Sequence, residues 1–249
     1  MKISKVQKEK NRKKMIEVAV EAMGKDGISK TTMKEISQKA GFSEPVIYKY
    51  FPTKEHLLFA YFEESFLDVK KELEENPIFQ EMSFPEQLQM IMDSTIQYHS
   101  ANRNFVREAF NNIYTYNLSI TIGELEKHKA IFLDFINNLL QIAIESGELE
   151  DIPYKELIIK SLWDYHIFVV SYWTRDNSED YEKTTQLVDK SMALLQAFLT
   201  SKVLDKSMDL INFFLRQHVF ESLEKLADVN LGIDFKKKKR SLFEGRKKK

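Results

Sequence analysis

Apolar residues recur at three- and four-residue steps along most of the chain, and the first such run lies near its start. Met15, Val18, Ala19, Ala22 and Met23 share one face of a helix predicted from Asn11 to Gly24. Gly24 and Gly27 are expected to end it. Thr32 followed three positions later by Glu35 makes a capping box, in which hydroxyl and carboxylate satisfy the first free amides of a second helix. That helix turns Met33, Ile36 and Ala40 inward and stops at Gly41. After the turn Gly41-Phe42-Ser43 a very short third helix is predicted, with Ser43 as its cap and Pro45 in its first turn, ending near Phe51. Pro52 breaks it, Thr53 caps again, and a long helix from Lys54 carries Leu57, Leu58, Tyr61, Phe62 and Phe66 toward Leu73.

The remainder reads as further amphipathic helices over Phe84 to Ala101, Arg103 to Asn117, Ile120 to Ser146, Tyr154 to Trp173, Ser178 to Leu199 and Ser201 to Ala227. Turn-forming residues separate them at Asn76-Pro77, Ser100 to Asn104, Gly147, Pro153 and Arg175 to Asn177. No internal repeat and no strand-like alternation stands out. The expected fold is all-α. Residues 1-54 form a three-helix head, 55-227 a helical body, and 228-249 a basic, disordered tail.

Composition supports this reading: 43% of residues are hydrophobic and 12% aromatic, against 7 Gly and 5 Pro, so there is much to bury and little to break helices. With no Cys, disulfide and thiolate chemistry are excluded. The lysine-rich beginning has no apolar stretch behind it, and no run of about 18 apolar residues occurs, so a soluble cytoplasmic protein with no membrane partner is expected. The net charge of -1 hides a strong segregation: +7 over Met1 to Lys54, -16 over Glu55 to Phe235 and +8 over Lys236 to Lys249. A polyanion is attracted to the ends and repelled by the middle.

Three short helices with a tight Ala40-Gly41-Phe42-Ser43 turn before the last match the design of a helix-turn-helix. Ile36 and Ala40, with Val46 and Phe51, are expected to form the small core that sets the angle between the second and third helices. A polar face of the third is then free for a major groove. The run from Gly27-Ile28 through Thr31-Thr32-Met33-Lys34-Glu35-Ile36 to Ala40-Gly41-Phe42-Ser43, and on through Val46-Ile47-Tyr48-Lys49-Tyr50-Phe51-Pro52-Thr53-Lys54-Glu55-His56-Leu57-Leu58, resembles the signature of the TetR/AcrR family of bacterial transcriptional regulators.

That resemblance implies double-stranded operator DNA as partner. Thr32 then bonds a phosphate, and Ser43, Glu44, Pro45 and Tyr48 face the duplex, with Tyr48 on the backbone or a thymine methyl. Lys54 meets a phosphate with its amide and its charge, and Lys49 and Tyr50 add backbone contacts. Glu44-Pro45 departs from the family's usual basic or small residues: Glu44 is either a reader of a cytosine amino group or a solvated first-turn residue favoured by the helix dipole. Lys2, Lys5, Lys8, Lys10, Lys13 and Lys14 are either an arm that releases counterions or a solvated terminus.

The resemblance further implies a body that binds an effector and pairs two subunits through its last helices. Phe105, Phe110, Tyr114, Phe132, Trp163, His166 and Tyr172 are candidates to line a pocket for a small apolar or amphipathic molecule; the alternative for each is ordinary core. Leu157, Leu162 and Val169, with Val188, Met192, Leu195 and Leu199, form stripes suited to a homodimer. The segment Trp173-Thr174-Arg175-Asp176-Asn177-Ser178 with Glu182-Lys183-Thr184 resembles a stretch in the body of some regulators of this group, and identifies no ligand. His56, His99, His128, His166 and His218 are scattered without metal-ligand spacing, and no nucleophile motif or phosphate-cradling loop occurs. Neither an enzyme, a metal site nor a cofactor is expected. The resulting expectation is a repressor that holds its operator as a dimer and is released by a small molecule; the alternative is a DNA-binding regulator without such a ligand, governed by a protein partner or constitutive.

Overall fold

The computed structural model describes residues 4–111, 118–150 and 155–200. Among these residues ten α-helices run in order: α1 Lys5–Asp26, α2 Met33–Ala40, α3 Glu44–Tyr50, α4 Lys54–Glu75, α5 Pro77–Glu81, α6 Phe84–Ser100, α7 Arg103–Asn111, α8 Leu118–Glu145, α9 Lys155–Arg175 and α10 Glu182–Thr200. No strand occurs among the described residues. The chain divides into two units, Met1–Gln196 and Ala197–Lys249, and the first holds everything from α1 to most of α10. The helix expected over Ser201 to Ala227 and the basic tail lie outside the described residues.

Local chemistry accounts for most boundaries. Ser4 Oγ accepts from the Gln7 amide at 3.2 Å, so α1 starts six residues before the predicted Asn11 and runs through Gly24 to end at Gly27, whose φ of 92° only glycine takes easily. At α2 the expected capping box is complete: the Glu35 amide donates to Thr32 Oγ1 at 3.2 Å and the Thr32 amide to Glu35 Oε2 at 2.9 Å. Gly41, left-handed at φ 79°, stops α2, and the Phe42 amide bonds back to Ser37 O at 2.8 Å. The periodicity gave no sign of α5, which Asn76 caps at 3.0 Å from its side chain to the Ile78 amide, with Pro77 as first residue.

One helix organises the unit. In α4 the run Leu57, Leu58, Phe59, Ala60, Tyr61, Phe62 is buried on every side, as expected of a helix apolar all round rather than along one stripe. It packs against α1 on the head side and against α6 and α8 on the body side. The apolar cluster built on it reaches from Met15, Ile36 and Ile47 through Phe105 and Val106 to Trp173, so packing continues without a gap past residue 54.

The Trp173 to Thr184 segment is a structural joint. Asp176 accepts from the amide and hydroxyl of Ser178 (2.9 and 2.6 Å) and of Thr184 (2.9 and 2.7 Å), which caps the turn into α10. Arg103 donates to the carbonyls of Trp173 and Asp176, and its guanidinium lies over the rings of Trp173 at 5.6 Å and Tyr181 at 4.7 Å. These bonds tie the start of α7 to the α9–α10 turn.

Candidate nucleic-acid interface and effector cavity

The head presents a polar surface on a dry support. Ile36, Ala40, Ile47 and Phe51 are buried. Ile47, absent from the expected core, takes the place expected for Val46, and Val46 is only half-buried, because α3 starts at Glu44 and its phase points position 47 inward. Ser43, Glu44, Pro45, Tyr48 and Lys49 consequently face outward; Tyr48 keeps 43% of its surface exposed, which no packing argument requires of a tyrosine. Ser43 occupies the N-cap position of α3, yet its hydroxyl makes no capping bond. Thr32 is exposed at the start of α2. Lys30 and Lys34, also exposed and not among the expected contacts, flank it; two lysines around a cap residue are a signal visible in the sequence.

Two of the proposed contacts turn inward instead. The Lys54 ammonium donates to Ile28 O at 2.6 Å and Thr31 O at 3.1 Å, closing the loop between α1 and α2. Tyr50 is half-buried, and its hydroxyl accepts from Asn11 Nδ2 at 3.3 Å. Both side chains thus fasten elements of the head to one another. Arg12 adds to this by pairing with Glu64 and lying over Phe51 at 5.5 Å, while Lys14 lies over Phe42 at 5.8 Å and Lys13 pairs with Asp68 at 3.1 Å. From Lys5 onward the N-terminal lysines therefore belong to α1. Lys2 lies outside the described residues.

From the body side, the Glu108 carboxylate on α7 accepts from the Ile28 amide at 2.8 Å. Lys54 and Glu108 thus hold the α1–α2 loop from opposite directions: one takes its carbonyls, the other an amide.

Directly beyond this clasp lies a cavity of about 300 Å³, at the small end of ligand sites. Leu58, Phe59 and Phe62 of α4 and Ala109 and Phe110 of α7 form one wall; Leu125, His128, Trp163, His166, Ile167 and Val170 of α8 and α9 form the other, and His99 of α6 completes it. The charged lining residues Glu126, Lys129 and Asp164 retain exposure and mark the side open to solvent.

Three of the five histidines, scattered in sequence, meet in this cavity. His99 is hydrogen-bonded through Nδ1 to the Tyr61 hydroxyl at 2.8 Å. His128 Nε2 and His166 Nδ1 are buried without a hydrogen-bond partner, a condition that costs about 1–3 kcal/mol per group. Burial pushes His99 down to about 3 and His128 down to about 4, and burial together with the neighbouring histidines holds His166 well below the usual imidazole range. All three rings are therefore neutral near pH 7. Among the described residues, no group of three or more His, Cys, Asp or Glu side chains is arranged to hold a metal ion.

Of the aromatic candidates, Phe110, Trp163 and His166 line the cavity. Phe105 and Phe132 are fully buried behind it, packed on Phe62 and on Trp163 and His166. Tyr172 belongs to a separate exposed groove with Phe168 and Arg175. Tyr114 lies outside the described residues. Phe59, Phe62, His99 and His128 were missed, because nothing in their spacing marks residues that converge from separate helices.

The proposed pairing stripe also divides. Leu162, Val169, Val188 and Met192 are buried within the subunit, Leu195 and Leu199 are half-buried, and Leu157 is exposed; Phe168 and Tyr172 of α9 and Leu194 of α10, which lie outside that stripe, are exposed as well. No helix among the described residues is long and apolar enough to cross a membrane.

Comparison with known proteins places this geometry. Residues 15–61 match the family of bacterial regulatory proteins, tetR family, and residues 87–214 match the tetracyclin repressor-like C-terminal domain. The chain belongs to the TetR family: it is a DNA-binding transcriptional regulator with a ligand-binding C-terminal domain. The fatty acid metabolism regulator protein of Bacillus subtilis (strain 168) is 24% identical to it over 139 residues, 55% of this chain and 70% of that protein. The fold is shared with FadR from Bacillus subtilis, solved in complex with stearoyl-CoA (TM-score 0.58, 20% identity, 76% of this chain and 98% of that one). It is shared equally with the repressor FadR from Thermus thermophilus, solved with lauroyl-CoA (TM-score 0.58, 18% identity, 73% and 93%).

Proposed function

We propose that the protein is a homodimeric repressor whose head, residues 1–54, holds operator DNA and whose body releases it when an acyl-CoA thioester enters the cavity. One observation carries this reading. Leu58, Phe59 and Phe62 in the cavity wall stand on α4 one or two turns from Lys54, whose ammonium is bonded to the carbonyls at the base of α2. Ala109 and Phe110, in the opposite half of that wall, adjoin Glu108, which holds the Ile28 amide. A guest that displaces either helix bears on the loop that positions α2 and α3. The effect is bounded by the difference in the guest's affinity for the two arrangements.

On DNA, the outward row Ser43, Glu44, Pro45, Tyr48 and Lys49 enters the major groove, while Thr32, Lys30 and Lys34 meet phosphates at its edge. Pairing through Leu157, Phe168, Tyr172 and Leu194 places two heads on successive turns of the duplex. The acyl-CoA assignment draws on the two FadR structures with bound acyl-CoA, and an aromatic cavity with a charged rim suits an apolar chain on a polar carrier.

The test is capture of genomic fragments by the purified full-length protein, followed by anisotropy titrations with the selected site. Salt-sensitive binding of a dimer, relieved by lauroyl-CoA in the wild type and not in Leu125→Trp, is the expected result. Binding without preference for any fragment, or indifferent to every acyl-CoA offered, overturns the reading.

A further inference from the structure

The cavity wall contains a chemical mismatch. Aromatic rings crowd His128 and His166: Phe66 and Trp163 lie 5.4 and 5.0 Å from the His128 ring, and Phe132 and Phe66 lie 4.9 and 5.9 Å from the His166 ring. Two further hydrocarbon side chains would complete such a wall at less cost than two imidazoles. The structure instead places the rings 6.1 Å apart and nearly perpendicular, with His128 Nε2 and His166 Nδ1 both buried and unpartnered. His99, the third member, has its partner in Tyr61 and so is not part of the mismatch.

We infer that the effector carries an uncharged carbonyl oxygen at the head of its apolar chain, and that this oxygen is received by His128 and His166. The inference deepens the effector reading above and rests on it. A carbonyl oxygen has two lone pairs, and each neutral imidazole has one N–H to offer, so one such atom satisfies both rings in suitable tautomers. A carboxylate at the same place is disfavoured: it would be buried between neutral rings with no counter-charge. Lys129, the cationic residue in the lining, sits at the rim and pairs with Glu126 at 3.7 Å. A bare hydrocarbon would leave both nitrogens as they are. The carbonyl of a thioester fits, with its chain running to Phe59, Phe62 and Phe110 and its polar carrier outside.

Calorimetric titration of the full-length protein with three probes decides the matter: lauroyl-CoA; S-dodecyl-CoA, the thioether in which a methylene replaces the carbonyl; and free laurate. Lauroyl-CoA is expected to bind roughly tenfold tighter than the thioether, and tighter than laurate. The preference over the thioether should vanish in His128→Leu combined with His166→Leu, and the wild-type comparison stands by itself should that variant fail to fold. Equal affinity for thioester and thioether, or a preference for laurate, overturns the carbonyl assignment and leaves the effector reading intact. Binding of none of the three overturns both.

Discussion

The head and the cavity spend their polar groups in opposite ways. In the head, the side chains proposed to meet DNA are exposed and the groups behind them are satisfied: Lys54 with two carbonyls, Tyr50 with Asn11. In the cavity the three histidines are buried, and two of them each hold a ring nitrogen without a partner. A surface that must fit a rigid, hydrated duplex gains from being preorganised. A site that must change when a guest arrives holds unmet hydrogen-bonding capacity, which the guest can supply.

Breaking the head from behind should have the largest effect. Ile47→Ala removes a fully buried side chain at the centre of the α2–α3 contact and is expected to cost about 2–5 kcal/mol, read by denaturant unfolding. A loss below 1 kcal/mol would mean that the head relies little on this packing. Next comes the clasp: Glu108→Ala removes a bond to a charged acceptor, worth about 1.5–3 kcal/mol. Its distinguishing readout is the effector response, expected to shrink relative to wild type, whereas an unchanged response would show that coupling runs through α4 alone. Tyr48→Ala touches only the exposed row and should weaken operator binding by roughly 1–3 kcal/mol with the melting temperature unmoved.

His166→Phe, which removes one of the three cavity rings, is expected to have the smallest effect, read in the pH dependence of stability. The three rings are held below the unfolded imidazole value of 6.5, so above that pH neither the folded nor the unfolded chain is protonated at them. As pH falls below 6.5 the unfolded chain takes up protons that the folded one refuses, and stability present at neutral pH is lost progressively toward pH 4. Each ring contributes roughly 1 kcal/mol per pH unit across this window. The slope between pH 6.5 and 5 should be shallower in His166→Phe; an unaltered slope would place the acid sensitivity elsewhere.

How much of this was readable from residues alone follows the same division. The head occupies about fifty consecutive residues, and its signals are local: a Thr/Glu box, a glycine at the turn, a proline after the third helix. Those features were legible because they act over three or four positions. The phase of α3 is not legible, and so Val46 is expected in the core where the structure has Ile47. The inward reach of Lys54 was equally hidden, since its partners Ile28 and Thr31 lie more than twenty residues away.

The cavity draws on α4, α6, α7, α8 and α9, from Leu58 to Val170. Periodicity places Leu58 and Phe62 on the apolar face of their own helix, but it carries no term for which helices become neighbours. The sequence by itself determined an all-helical chain, the cap and turn chemistry of the head and a polar outward row on α3, because each depends on contacts between residues close along the backbone. Tertiary packing alone decided that three distant histidines converge, that two of them each bury a ring nitrogen without a partner, and that Glu108 and Lys54 grip one loop from both sides. Those outcomes depend on which surfaces meet once the chain has folded.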